Sequence, residues 1–206
     1  MKGFLNNNQL KIIALISMTI DHIGVQLFPR LTILRIIGRL AFPIFAYMIA
    51  EGAKYTKNRK KYILTISVTA LICQLVYFFV ERSLDQCILV TFTLSILLIY
   101  ALEYKFLSIL SILVCFFLTQ ILSIDYGFGG IIMPVILYMA QTKQKKLLYG
   151  IIMLILISLS LGGVQWYSLL AIPLLALYNG ERGMLNLKYL FYIYYPLHLG
   201  IIYLLK

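Results

Sequence analysis

The chain has 206 residues, of which 62% are hydrophobic and only 12% charged, about half the charged share of an ordinary soluble domain. Its mean hydropathy is +0.94. These values exclude a soluble enzyme and a disordered chain, and they exclude a nucleic-acid-binding domain inferred from the formal net charge of +11 alone. They leave an all-α, polytopic transmembrane helix bundle whose first partner is the lipid bilayer. Each span with its loop takes roughly 20–25 residues, so residues 1–206 fit one integral-membrane domain.

Apolar runs separated by polar punctuation predict about nine spans, near 11–29, 32–53, 62–80, 88–103, 106–124, 128–141, 147–162, 164–178 and 188–205. Several fall short of the roughly 20 residues that cross a bilayer, and 128–178 also accommodates two spans and a re-entrant piece. Lys2 and Lys11 precede the first run as in a signal peptide. However, no small-x-small cleavage site follows and Asp21-His22 interrupts the run, which reads as an uncleaved first span. Internal repeats are not visible.

Short cytoplasmic loops of membrane proteins collect Lys and Arg. With the N-terminus inside, Lys2, Lys11, Lys54, Lys57, Arg59, Lys60, Lys61, Lys105, Lys143, Lys145, Lys146, Arg182 and Lys188 lie on the inner side. Arg30, Arg82 and Lys206 lie outside. This thirteen-to-three bias sets the expected topology, nine spans with the N-terminus in the cytoplasm and the C-terminus outside; the membrane is expected to be a bacterial-type plasma membrane. Cys73, Cys87 and Cys115 are an odd number without a C-x-x-C pair and read as small hydrophobes. No metal site is expected.

Five residues stand out because they sit where charge is expensive. Asp21 and His22 lie past the middle of the first span. Arg35 and Arg39 lie one turn apart on the second, and His198 is mid-span beside Pro196. An ionised residue at a helix centre costs roughly 2.5–3.5 kcal/mol on insertion scales. Asp21, Arg35 and Arg39 must therefore face one another or a wet cavity in the outer half of the bundle. A histidine beside a carboxylate and opposite two arginines is a general-base arrangement. Tyr195, one turn from His198, lines the same cavity in this reading. Asp125-Tyr126-Gly127 opens the sixth span, and Asn179-Gly180-Glu181-Arg182-Gly183 forms an inner-face turn with exposed amides.

Several blocks follow one another in a specific order: N-x-x-x-K-x-x-A-x-x-S-M-x-x-DHIG, then RIIGRLAFPIFAYMIAEG at 35–52, FTL at 92–94, DYG at 125–127, LYNGERG at 177–183 and KYLFYIYYPLH at 188–198. In this the chain resembles the TraX family, whose namesake acetylates the N-terminal residue of F-type conjugative pilin. That family is distantly similar to the acyltransferase-3 proteins and to the lysosomal glucosamine N-acetyltransferase. The acyltransferase-3 pattern places an arginine ahead of its histidine, whereas here His22 precedes Arg35 by thirteen positions.

The resemblance implies a transmembrane acyltransferase. It would move an acetyl group from acetyl-CoA, the co-substrate, to an amine or hydroxyl of a peptide or cell-envelope molecule. His22 would be the general base. Asp21 would hold or tune it or, since neighbours on a helix point about 100° apart, bond elsewhere. Arg35 or Arg39 would stabilise the thioester oxyanion or bind an anionic acceptor. Lys54, Lys57, Arg59, Lys60, Asn179 and Arg182 would take the phosphates of CoA, and His198, Tyr195 and Asp125 the acceptor. The residues alone also admit a small proton-coupled transporter or a non-catalytic assembly factor for a membrane peptide.

Overall fold

The computed structural model describes residues 3–81, 85–184 and 188–205. Lys2, Arg82 and Lys206 of the charge count lie outside the described residues, and Lys188 and Tyr189 are described in their backbone alone. Among the described residues the fold is all-α, with no strand. The helices are α1 (Asn7–Gln26), α2 (Thr32–Gly38), α3 (Ala41–Tyr55), α4 (Arg59–Glu81), α5 (Ile88–Ala101), α6 (Lys105–Ile121), α7 (Gly127–Met139) and α8 (Lys143–Leu161). A 3-10 helix (Gly163–Leu170) follows, then α9 (Ala171–Ala176) and α10 (Lys188–Leu204). Joining α2 with α3, and the 3-10 helix with α9, gives nine helical passages at the expected positions. Among the described residues three are long and apolar enough to cross a membrane: Thr32–Tyr55, Arg59–Phe79 and Lys143–Leu161. Ile88–Ala101, Lys105–Ile121, Gly127–Met139, Gly163–Ala176 and Leu190–Leu204 are shorter apolar helices.

The start of α1 and the breaks have local causes. α1 begins earlier than its apolar run because Asn6 and Gln9 form a reciprocal capping box: Gln9 N donates to Asn6 Oδ1 (3.0 Å) and Asn6 N to Gln9 Oε1 (2.8 Å). The second passage breaks at Arg39-Leu40 because Pro43, four residues on, has no N–H for the Arg39 carbonyl. Gly162 and Gly163 both take positive φ (67° and 53°). That conformation is nearly closed to side-chain-bearing residues, and it ends α8 and starts the 3-10 helix.

The chain divides into two compact units, residues 1–48 with 143–206, and residues 49–142. In the second unit, α5 is the central helix and packs with α4, α6 and α7. Ser95 Oγ donates to the Ile131 carbonyl of α7 (2.8 Å) and Thr91 Oγ1 to the Asp125 carbonyl (2.9 Å), so both hydroxyls are satisfied in an apolar interior. Ala53, Leu98, Ile99 and Val135 form one core cluster there, and Cys115, Ile124 and Ile131 another. Around this core the polarity of a soluble protein is inverted. On α6 only Cys115 is buried, while Phe106, Ile109, Leu113, Phe117 and Ile121 are exposed. On α4 Leu64, Leu71, Leu75 and Phe79 are exposed. Apolar outer faces on this scale suit contact with lipid. All three cysteines are free and buried.

In the first unit α1 packs on α2 and α10, and the 3-10 helix packs on α2, α8 and α9. Leu10, Ala14, Ile44, Leu154, Leu175 and Leu199 fill its interior. At one end, Leu5 N donates to the Leu177 carbonyl and Asn179 N to the Leu5 carbonyl, while Lys143 Nζ donates to the Ala176 and Tyr178 carbonyls at the end of α9. The contact between α1 and α2 depends on a glycine: a Cβ at position 38 would stand 2.1 Å from Asp21 Oδ1 and 2.3 Å from Asp21 Cβ. At Gly200, by contrast, nothing lies within 4 Å. Gly38→Ala should therefore cost about 1–3 kcal/mol by overpacking and Gly200→Ala far less. Paired thermal unfolding of the two variants in detergent checks this.

Candidate functional site

α1 presents Asp21 and His22 in different directions, because successive residues on a helix point about 100° apart. Asp21 turns to α2. Its Oδ2 receives Arg35 Nη1 at 2.8 Å and Arg39 Nη2 at 2.6 Å, with side-chain exposures of 15%, 29% and 12% for Asp21, Arg35 and Arg39. One carboxylate oxygen thus holds two guanidiniums, one from each of two successive turns of the second passage. Arg39 also donates through Nη1 to Gln165 Oε1 of the 3-10 helix at 3.3 Å. The cluster is not fully satisfied: Asp21 Oδ1, Gln165 Nε2 and Ser168 Oγ are buried without a hydrogen-bond partner. Each such atom costs about 1–3 kcal/mol.

His22 turns to α10. Its Nδ1 lies 2.8 Å from Nε2 of His198, and Nδ1 of His198 lies 3.0 Å from the Tyr194 carbonyl oxygen. A carbonyl can only accept, so His198 Nδ1 carries the proton of that bond. In the neutral ring His198 Nε2 is then the acceptor, and His22 Nδ1 must donate to it. The wire leaves His22 Nε2 with its lone pair free. The carbonyl used is that of Tyr194 rather than that of Tyr192, whose helical partner Pro196 removes. Tyr194 stacks on His198 (centroids 5.2 Å, interplanar 6°) and Tyr195 meets it edge-on (5.4 Å, 86°). Thr19 and Tyr194 share a hydroxyl hydrogen bond of 2.7 Å, and Gln26 Nε2 donates to the Tyr203 hydroxyl at 3.0 Å. These contacts fix α10 against α1.

The structure thus brings together Asp21, His22, Arg35, Arg39, His198 and Tyr195 of the expected site. Asp21 partners the arginines rather than His22, and the partner of His22 is His198. Gln165 joins the cluster, Ser168 lies one 3-10 turn further along the same helix, and neither was singled out in the sequence. The signal was present, since both are polar residues inside an apolar run, as Asp21 is.

Asn179 and Arg182 belong to the opposite end of the same unit. Asn179 accepts from Glu181 N at 2.8 Å and Arg182 is exposed. From the start of α1 at Asn7 to His22 the rise is about 20 Å. Lys146, counted among the loop cations, is buried in the first turn of α8, with Nζ 5.2 Å from the Tyr47 ring centroid. Lys54, Lys57, Arg59, Lys60 and Asp125 belong to the second unit. The four cations there are exposed, and Arg59 pairs with Glu103 and lies over Tyr100. Asp125 contributes its backbone to the turn before α7, where Tyr126 has φ 60°. Among the described residues no group of three or more His, Cys, Asp and Glu side chains is placed to hold a metal ion.

Breaking a buried ion pair from one side strands its partners. Asp21→Asn, which leaves two guanidiniums without an anion, should therefore destabilise the protein by about 3–5 kcal/mol. Arg35→Gln, which leaves the Asp21–Arg39 pair, should cost less. Comparison of their denaturation midpoints, each against wild type, tests this order.

Comparison with known proteins places this chain. A family model described as "TraX protein" matches residues 6–206. An uncharacterized protein of Rickettsia prowazekii is 32% identical over 146 residues, covering 67% of this chain and 57% of the relative's length. A Dichelobacter nodosus protein described as "Probable fimbrial assembly protein FimC, serogroup H1" is 27% identical over 226 residues, covering 94% of this chain and 93% of the relative. No solved structure matches. With the family match running almost end to end, over the helices that carry both the Asp21–arginine cluster and the histidine pair, the chain belongs to the TraX family.

Proposed function

We propose that this protein is an acetyl-CoA-dependent transmembrane acyltransferase, similar in chemistry to the acyltransferase-3 proteins, acting on the amine or hydroxyl of a peptide or envelope molecule. The observation that carries the reading is the histidine wire. A ring whose Nδ1–H is bound by an acceptor anchored on a backbone carbonyl presents Nε2 as a base in a fixed direction, as acyl-transfer sites require. A family member named as a fimbrial assembly protein supports a peptide acceptor. The N-terminus is assigned to the cytoplasm, on the charge bias of the loops.

Acetyl-CoA would enter with its phosphates toward the inner end, near Arg182 and Asn179, and its pantetheine arm would reach along α1 toward His22. The acceptor's nitrogen or oxygen attacks the thioester carbonyl carbon as His22 Nε2 takes its proton. The C–S bond then breaks, and the departing thiolate takes that proton from His22, giving CoA and the acetylated acceptor. Arg39, fixed by Asp21 and Gln165, adds positive charge beside the carbonyl oxygen as it becomes anionic. His198 acts through His22 and is a positioning residue.

Acetyl-CoA bound to the folded state alone should raise stability by about 2.7 kcal/mol at a hundredfold excess over Kd, in the wild type and in His22→Gln alike. Absence of a shift in folded wild-type protein counts against the reading and favours proton-coupled transport. In liposomes with a peptide bearing a free α-amine, CoA thiol release should fall by about 10²–10⁴ in His22→Gln, and should vanish for the N-blocked peptide if the acceptor is the α-amine. His198→Phe should lower kcat with little change in the KM for acetyl-CoA. Full activity in His22→Gln would exclude it as the base.

A further inference from the structure

Resting on the acyltransferase reading, we propose that Gln165 and Ser168 form the subsite for the carbonyl oxygen of the acyl donor. In a 3-10 helix the side chains at i and i+3 eclipse, so Gln165 and Ser168 share one face of the helix Gly163–Leu170. Both residues are almost wholly enclosed, at 3% and 0% exposure. Arg39 donates to Gln165 Oε1 at 3.3 Å. A guanidinium cannot face an amide NH₂ in that way, so the amide orientation is fixed and Nε2 points elsewhere. Nε2 and the Ser168 hydroxyl have no partner. Buried polar atoms are ordinarily satisfied, and orphans mark a missing ligand or water.

The chemistry of the orphans selects the ligand. Gln165 Nε2 can only donate, and the Ser168 hydroxyl is free to donate. Two donors on one face match the two lone pairs of a carbonyl oxygen. The cation that fixes the amide is Arg39, which is itself held by Asp21, the residue before His22 on α1. The subsite therefore belongs to the reacting end of the ligand, not to its phosphates. As the acceptor attacks, the C=O π pair moves onto this oxygen, where the two donors and Arg39 meet it. The pair returns as the C–S bond breaks and the thiolate takes the proton from His22.

The test compares acetyl-CoA with CoA, which lacks the thioester carbonyl, as ligands of the 206-residue chain in detergent. Wild type should bind acetyl-CoA about tenfold more tightly, a preference that corresponds to about 1.4 kcal/mol shared between the two donors. Gln165→Glu keeps an oxygen for Arg39 but removes the donor, and Ser168→Ala removes the second. Each should lose most of the preference while its affinity for CoA stays within about twofold. Folding is verified by a monodisperse elution profile, and the two substitutions are independent of each other. Equal binding of both ligands by wild type, or an undiminished preference in either folded variant, overturns the subsite and leaves the acyltransferase reading standing. Binding of neither ligand by wild type overturns both.

Discussion

The first unit is arranged around a single carboxylate oxygen. Asp21 Oδ2 takes Nη1 of Arg35 and Nη2 of Arg39, and nothing else about the second passage makes sense without it. Two arginines a turn apart in an apolar helix would each carry a large insertion cost, and one carboxylate between them converts that cost into a specified docking. The approach must be close, so the residue between the arginines that meets Asp21 is Gly38, where even a methyl would collide. Arg39 then reaches on to Gln165, so the same ion cluster recruits the 3-10 helix. Stability alone is a weak reason to keep such a cluster, since apolar replacements of buried ion groups are often as stable. Its value lies in fixing where Arg39 and Gln165 point.

The second constraint begins at a backbone carbonyl. Tyr194 O anchors His198, and His198 anchors His22. Each link has only one consistent proton assignment once the first is fixed. A side-chain carboxylate in the place of the Tyr194 carbonyl would add a negative charge beside a site that, in the proposed acyl transfer, receives a developing anion. A peptide carbonyl orients the ring without that charge. The aromatic packing of Tyr194 and Tyr195 around His198 restricts its ring to the plane the wire needs.

Much of this was legible because a membrane makes polar residues conspicuous. The nine passages followed from apolar runs, and the need for Asp21 to meet Arg35 and Arg39 followed from insertion cost. The pairing of His22 with His198 did not follow, since 176 positions separate them and hydropathy carries no information about which distant helix becomes a neighbour. Asp21 sits beside His22 in sequence, but neighbours on a helix point about 100° apart, and its carboxylate goes to the two arginines as the insertion cost required. Gln165 and Ser168 were missed for a different reason. Uncharged polar residues cost little on an insertion scale, so in the run 164–178 they did not register, although a buried primary amide carries as firm a demand for partners as a charge does. The break at Arg39-Leu40 and the early start of α1 were local, written in Pro43 and in the Asn6/Gln9 box.

The two constraints meet on α1, and together they bear on the proposed acyl transfer. Counted formally, two arginines against one carboxylate leave a surplus of one positive charge, and this surplus is held by rigid partners rather than by mobile ones. Beside it stands a histidine whose orienting bonds run through a neutral ring to a backbone dipole. A transport relay needs groups that exchange protons along a path, with each member free to turn. Here the ring that would have to turn is clamped between two tyrosines and tied at both nitrogens. In the proposed reading, a fixed base with one open lone pair, next to a fixed excess of positive charge, is instead preorganised for a reaction in which a proton leaves one atom as negative charge grows on another. Acyl transfer from a thioester has that requirement.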